Sequence, residues 1–261
     1  MHRVLAVVAL AAACSKHADA PSSTRLPIVP DRVTAHLGDV GFVLAVDLNH
    51  LDLGAIAALI PDQLGCTREL LAAADSAVIT ASDSWEGFVT GLPETATWTC
   101  IGKLAPLFGA TARAGSGDGY FLDIPGASIS LTWHDRTVAI AEAGHALRSG
   151  DPPGVIFDLA AQVPRTAKGW IVSSGFPAYK IKSSVAWLET SPTAWVFTVT
   201  AEGSEQGAAK PWLESIVAGF KAGAGAKGVA VDDRWFAIDA TPARGKLVAT
   251  VPIEAFTTAA K

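Results

Sequence analysis

The sequence predicts an α+β chain of two related β-α-β-β units with largely antiparallel strands. Three observations predict it. Short apolar runs rich in Val, Ile, Thr and aromatic residues follow one another in groups, which favours antiparallel sheets over a doubly wound parallel one. Segments with apolar residues at helical spacing separate those groups. The order of elements in the first half then recurs in the second at an offset of about 110 residues.

Along the chain, residues 15–38 are rich in Ser, Pro and Ala with little apolar periodicity, so they read as a tether. Order begins near Gly41 with the strand-like run Phe42-Val43-Leu44-Ala45-Val46-Asp47-Leu48. Leu53, Ile56, Ala57, Leu59 and Ile60 lie at helical spacing and Pro61 stops them. A second short helix is expected over 68–74, then strands over 76–80 and 87–90 around a turn at Asp83-Ser84. Ile101, Leu104, Ala105 and Phe108 mark a helix over 97–108, with Pro106 disturbing its last turn. The glycines from Gly115 to Gly119 make a turn. Strands follow at 120–124, 129–133 and 138–141, the last two bent around His134-Asp135-Arg136.

In the second half, the run from Ser184 to Glu189 parallels the strand at Val78, and the run from Ala194 to Val199 parallels the one at Phe88. Leu213, Ile216 and Phe220 then fall on Ile101, Leu104 and Phe108. Gly228-Val229-Ala230-Val231-Asp232 is laid on Gly119-Tyr120-Phe121-Leu122-Asp123. Gly150-Asp151-Pro152-Pro153-Gly154 is the natural connector. The expected organisation is therefore 1–13 as a leader, 14–40 as a tether, and units at 41–150 and 151–261.

The leader has its own logic. Met1-His2-Arg3 is a short basic start, ten apolar residues run from Val4 to Ala13, and Cys14 follows. Ten residues are too few for a spanning helix, which needs about 20, so the stretch reads as the apolar region of a secretory signal. Leu10-Ala11-Ala12-Ala13-Cys14 resembles the lipobox of bacterial lipoproteins, with the usual leucine displaced by one and Ala11 in its place. The resemblance implies a signal cut before Cys14 and acyl chains on that cysteine, enough for stable anchoring where one myristoyl chain is not. An ordinary secretory signal cut near Ala13 or Ala20 is the alternative. Ser15 stands where inner-membrane lipoproteins carry aspartate, which by the same resemblance implies the outer membrane. With the early Val43-Leu44-Ala45-Val46-Asp47-Leu48 run and a cysteine pair in the first half, the chain also resembles predicted envelope lipoproteins of GC-rich Gram-negative bacteria. That resemblance brings no activity with it.

Composition narrows the partners. Half the residues are apolar, so a sizeable core is expected and global disorder is not. With 20 Lys and Arg against 25 Asp and Glu, and no basic run, nucleic-acid binding is set aside. Beyond Cys14 there are only Cys66 and Cys100, a pair that an oxidising compartment would ordinarily join. There is no CxxC for a redox or zinc site. Closing the intervening loop would stabilise the fold by roughly 4 kcal/mol in the chain-entropy model.

No constellation reads as catalytic or metal-binding, and no cofactor is implied. Asp47, His50 and Asp52 offer ligand types, but they lie where a strand ends, a place where turns and caps use the same residues. Ser173-Ser174-Gly175 is not the GxSxG of a nucleophile elbow. Gly115-Ser116-Gly117-Asp118-Gly119 lies between helix and strand, the wrong order for a phosphate loop. His134-Asp135-Arg136 and Asp232-Asp233-Arg234 read as solvated turns.

Tryptophan is the least bland feature, with eight residues. Trp170, Trp187, Trp195 and Trp235 are the candidate binding residues, because aromatic faces stack on sugars and anchor interfaces. Core packing explains rings in strands equally well. The expectation is a lipid-anchored envelope protein, attached to the membrane through its acyl chains, that binds or scaffolds an envelope protein or glycan. An accessory structural lipoprotein and an envelope hydrolase are the other readings.

Overall fold

The computed structural model describes residues 26–51, 64–115, 119–226 and 228–257. Cys14, the leader and the helix expected at 53–60 lie outside them. The chain is mixed helix and antiparallel strand, and it divides into two compact units: Ile28–Pro153, and Gly154–Lys261 together with the residues up to Pro27.

The N-terminal unit opens with helix α1 (Asp31–Thr34), whose first free N–H groups at Val33 and Thr34 donate to the Pro30 carbonyl. Strand β1 (Phe42–Asp47) is followed by helix α2 (Gly65–Ala73), then β2 (Ser76–Ala81) and β3 (Trp85–Thr90). Helix α3 (Glu94–Leu104) carries an acid in its first turn and Lys103 in its last, matching the helix dipole. Pro106 does not end the chain's coiling; it tightens it into a 3₁₀ turn (Ala105–Phe108), which Gly109 closes at φ 66°. Strands β4 (Thr111–Ala114), β5 (Gly119–Ile124), β6 (Ala127–His134) and β7 (Thr137–Glu142) complete the unit.

Its strands lie in the order β1-β2-β3-β7-β6-β5-β4 with every pairing antiparallel. A three-strand meander leaves through α3 and returns as a four-strand meander that closes against β3. The β6–β7 turn has Asp135 and Arg136 both at positive φ, as a two-residue hairpin loop demands. Two arginines hold these non-glycine residues there. Arg32 donates to the Asp135 carbonyl at 2.8 Å and pairs with its carboxylate at 2.9 Å, and Arg136 itself donates to the Gly91 carbonyl at 2.5 Å.

One face of this sheet carries Phe88 and Glu86, register partners of Val78 and Thr80. The 28–40 segment and the strap after β7 close over it. Val29, Val33, Leu37 and Val40 are buried, so the expected tether does not extend to residue 40; folded structure is already present at Leu26. His36 stacks on Phe88 at 5.6 Å and its Nδ1 lies 2.7 Å from the Arg148 carbonyl. The Arg148 guanidinium reaches inward to Glu86 at 3.3 Å, Thr80 at 3.2 Å and the Ser84 carbonyl, and its backbone N–H donates to Glu86 at 2.8 Å. Gly38 is required here, because a Cβ would stand 2.1 Å from the Ser149 carbonyl oxygen.

The C-terminal unit begins with helix α4 (Gly154–Ala160), which the connector reading did not anticipate, and it buries Ile156, Leu159 and Ala160. Strand β8 (Gly169–Ser173), β9 (Ile181–Thr190) and β10 (Ala194–Gly203) form a meander. Helix α5 (Ala209–Gly225) leads away, and β11 (Phe236–Ala240) and β12 (Arg244–Pro252) return before the short helix α6 (Glu254–Thr257). The order is β11-β12-β10-β9-β8, again antiparallel throughout. Phe220 of α5 meets Phe197 and Phe236 edge-on, at 6.5 and 5.5 Å. A Cβ at Gly245 would come within 2.7 Å of Leu213 Cδ1, so glycine lets α5 approach β12 closely. Gly228-Val229-Ala230-Val231-Asp232 is not a strand, contrary to the alignment with Gly119; it leads into a 3₁₀ turn (Asp233–Trp235).

Candidate functional site

The tryptophans chosen from the sequence do not form an exposed patch. Trp170, Trp187 and Trp195 are buried, none above 9 % exposure, and Trp235 is half-buried in the 3₁₀ turn before β11. Trp170 and Trp187 are register partners on β8 and β9, so their rings share a sheet face. The Trp170 indole N–H donates to the Pro27 carbonyl at 2.8 Å, a satisfied core position. The Trp187 indole N–H is buried with no hydrogen-bond partner among the described residues. These rings are packing residues of the C-terminal unit.

The other candidates resolve as turns. His50 donates its backbone N–H to Asp47 at 3.2 Å, and its Nδ1 lies 2.7 Å from the same carboxylate. Asp47 thus terminates β1 in an Asx-type turn, and Asp52 lies outside the described residues. Among the described residues no group of three or more His, Cys, Asp or Glu side chains is placed to hold a metal ion. The Ser173 hydroxyl donates to the Gly175 carbonyl and accepts from the Gly175 N–H, which ties up the end of β8. Asp232 accepts from the Arg234 side chain and backbone, which hold its carboxyl down at about 2. Cys66 and Cys100 are joined, with Cα atoms 5.5 Å apart, linking α2 to α3.

The aromatic surface that does emerge is in the N-terminal unit, on residues not selected from the sequence. Trp98 of α3 packs on Tyr120 of β5 at 4.2 Å and meets Trp133 of β6 edge-on at 6.1 Å. All three rings are half-buried. Among the described residues they belong to a cluster whose buried members are Ala74, Leu92, Leu131 and Val138, around which Leu70, Ile101, Leu122 and Ile140 are partly covered. The sheet face explains this. Tyr120 pairs with Leu131 and Leu131 with Ile140, so alternate residues of β5, β6 and β7 present apolar side chains on the face where α3 lies. Trp98 and Ile101 of α3 and Leu70 of α2 lie against this face. The 3₁₀ turn at its end leaves Leu107 and Phe108 54 % and 62 % exposed.

Alternation at Tyr120-Leu122-Ile124 and Ile129-Leu131-Trp133 was the sequence signal for this face. What it lacked was which rings the packing would leave partly covered. Chemically, partly buried Trp and Tyr rings offer an apolar body with a polar tip, suited to stacking on a sugar ring or seating an apolar side chain. On the opposite face of β5, Arg113 lies over the Phe121 ring at 4.4 Å and pairs with Asp123 at 2.6 Å. Hydrogen bonding from Arg113, then from Ser128, holds the Asp123 carboxyl below its ordinary range.

No protein-family model matches the chain, and no curated protein matches it. Among solved structures, crystal form III of TP0453 is similar, with a TM-score of 0.52 at 9% identity over 92% of this chain and 98% of that one. Crystal form I of TP0453 gives a TM-score of 0.49 at 9% identity, over 91% and 98%. At that identity the likeness concerns the fold alone.

Proposed function

We propose that this chain is a lipid-anchored protein of the cell envelope, held at the outer membrane through acylated Cys14, and that it works as a non-catalytic binding or scaffold module. The single observation that carries the binding reading is the half-covered aromatic face of Trp98, Tyr120 and Trp133. Clustered aromatic rings left partly open to water suit a surface that something else covers in use. The ligand is an envelope protein or a glycan, for which stacking rings with polar tips are suited. Support for the compartment comes from the lipobox and from the disulfide, which belongs to oxidising surroundings. Among the described residues no helix is long and apolar enough to cross a membrane, so in this reading the acyl chains provide the attachment.

The two units are further proposed to be related copies. Each runs a three-strand meander, leaves through a helix, and returns so that its last strand lies against the third. The N-terminal copy then carries β4 and β5 as an addition, and that addition holds Tyr120. An accessory structural role is the second reading, favoured by the burial of Trp170, Trp187 and Trp195.

The test is cross-linking in intact envelopes followed by purification, comparing the native chain with Trp98→Ala/Tyr120→Ala and with Cys14→Ser. Retention of one protein or glycan by the native chain and its loss in the aromatic variant is expected. Equal retention by both would move the function to the accessory reading. Mass spectrometry of the membrane fraction should find acyl chains on Cys14; a soluble chain beginning at another residue overturns the anchor.

A further inference from the structure

We infer that helix α2 is a redox-releasable cover on the aromatic face of the N-terminal unit, held in place by the Cys66–Cys100 bridge. This rests on the proposed use of that face for binding. Helix α2 gives Leu70 to the half-covered cluster, yet none of its own residues is fully buried. The Thr67 hydroxyl is buried without a hydrogen-bond partner among the described residues, so seating the helix costs a solvated hydroxyl. Its nine residues also fall below the about 12–15 that an isolated helix needs in water. A covalent tie joins it to α3. Cys66 lies in the first turn of α2, and Cys100 lies on α3 between Trp98 and Ile101, two members of the face itself.

The two cysteines differ in exposure. Cys100 is buried, whereas Cys66 is only partly so. A thiolate from a dithiol reductant therefore attacks the Cys66 sulfur, forming a mixed disulfide and displacing Cys100 as a thiolate, which takes up a proton. The second thiol of the reductant closes its own disulfide and leaves Cys66 as a thiol. Two electrons pass from the dithiol to the cystine, and no other group changes. The helix keeps its junction with β2 at Ala74, and Leu70 is no longer clamped covalently beside Trp98.

Hydrogen exchange of the full chain, read by mass spectrometry, tests this in the oxidised form, after dithiothreitol, and in a Cys66→Ser/Cys100→Ser variant. Amides of 65–73 should exchange at least tenfold faster in the second and third samples, while β9 and β10 keep their rates. Unchanged exchange over 65–73 would overturn the inference, because the helix would then be held without the bridge. Equal acceleration across β1 to β7 would overturn it as well, by making the bridge a stabiliser of the whole unit. Failure of the binding reading is distinguishable: Trp98→Ala would leave envelope cross-linking unaltered in both redox states while the exchange result stood.

Discussion

Trp170 and Trp98 hold the same kind of ring in two differently finished units. The first is closed off, with its indole N–H bonded to Pro27 and its flat faces out of water. The second lies on a face that α3 covers only in part. The described helices differ between the two units. Five strands in the C-terminal unit are served by the seventeen residues of α5, with α4 packed against β8 and β9. Seven strands in the N-terminal unit have the eleven residues of α3 and the nine of α2 among their described helices. Among the described residues, Trp98, Tyr120 and Trp133 stay partly uncovered while Trp170, Trp187 and Trp195 are buried.

The largest expected effect sharpens that contrast directly. Trp170→Ala should cost about 3–5 kcal/mol, because it empties a packed site and leaves the Pro27 carbonyl unpaired. Trp98→Ala should cost about 1–2 kcal/mol, since only part of its ring is withdrawn from water. Urea unfolding, with hydrogen exchange to assign the loss to each unit, measures both. Equal losses would dissolve the distinction between a closed and an open unit.

A second effect asks whether the N-terminal unit is loose throughout or only on one face. Glu86 is 2 % exposed, and Arg148 is its cationic partner. Removing one member of a buried pair leaves an uncompensated charge, so Arg148→Ala should destabilise this unit by about 3–5 kcal/mol. Glu86→Gln in the same background should recover part of that loss, because a neutral amide costs less to bury. A loss below about 1 kcal/mol, in the range of surface pairs, would mean the strap face is as open as the aromatic one.

The same contrast marks what could be read from the chain beforehand. Local pattern was enough for β1 to β3, for β5 to β7, and for the pairing of Cys66 with Cys100. It failed where long-range contact decides. Val29, Val33, Leu37 and Val40 sit among prolines and polar residues, and only the sheet they cover makes them a core. Helix α4 was hidden behind the Pro152-Pro153-Gly154 boundary signal, which marks the start of a helix as readily as a linker. Thr111–Ala114 is too short and too exposed to announce a strand, and its pairing with β5 makes it one. The burial of Trp170, Trp187 and Trp195 was not legible for the same reason. Tryptophans were visible in the sequence, but whether a ring is closed off or open depends on helix coverage, which no local window contains. Trp170 and Pro27 meet across 143 residues of sequence.

The smallest effect separates the units by pH. Asp232 lies before β11 in the C-terminal unit, and its Arg234 partners depress its carboxyl to about 2. A depressed acid contributes stability above its unfolded value, about 3.9, and loses it as pH falls through the folded one. The Asp232 contribution is therefore complete at neutral pH and disappears between about pH 4 and pH 2. Arg234 is exposed and Asp232 partly so, which keeps the effect small and screened by salt. Carbon-detected NMR titration of the Asp232 carboxyl should give a midpoint near 2, moving up toward 3.9 in an Arg234→Ala chain. Below pH 4 the exchange rates around β11 should rise in the native chain, and Asp232→Asn should flatten that rise without altering β5 and β6. A rise of the same size in both units would assign the acid sensitivity to charge shared by the whole chain, and not to this turn.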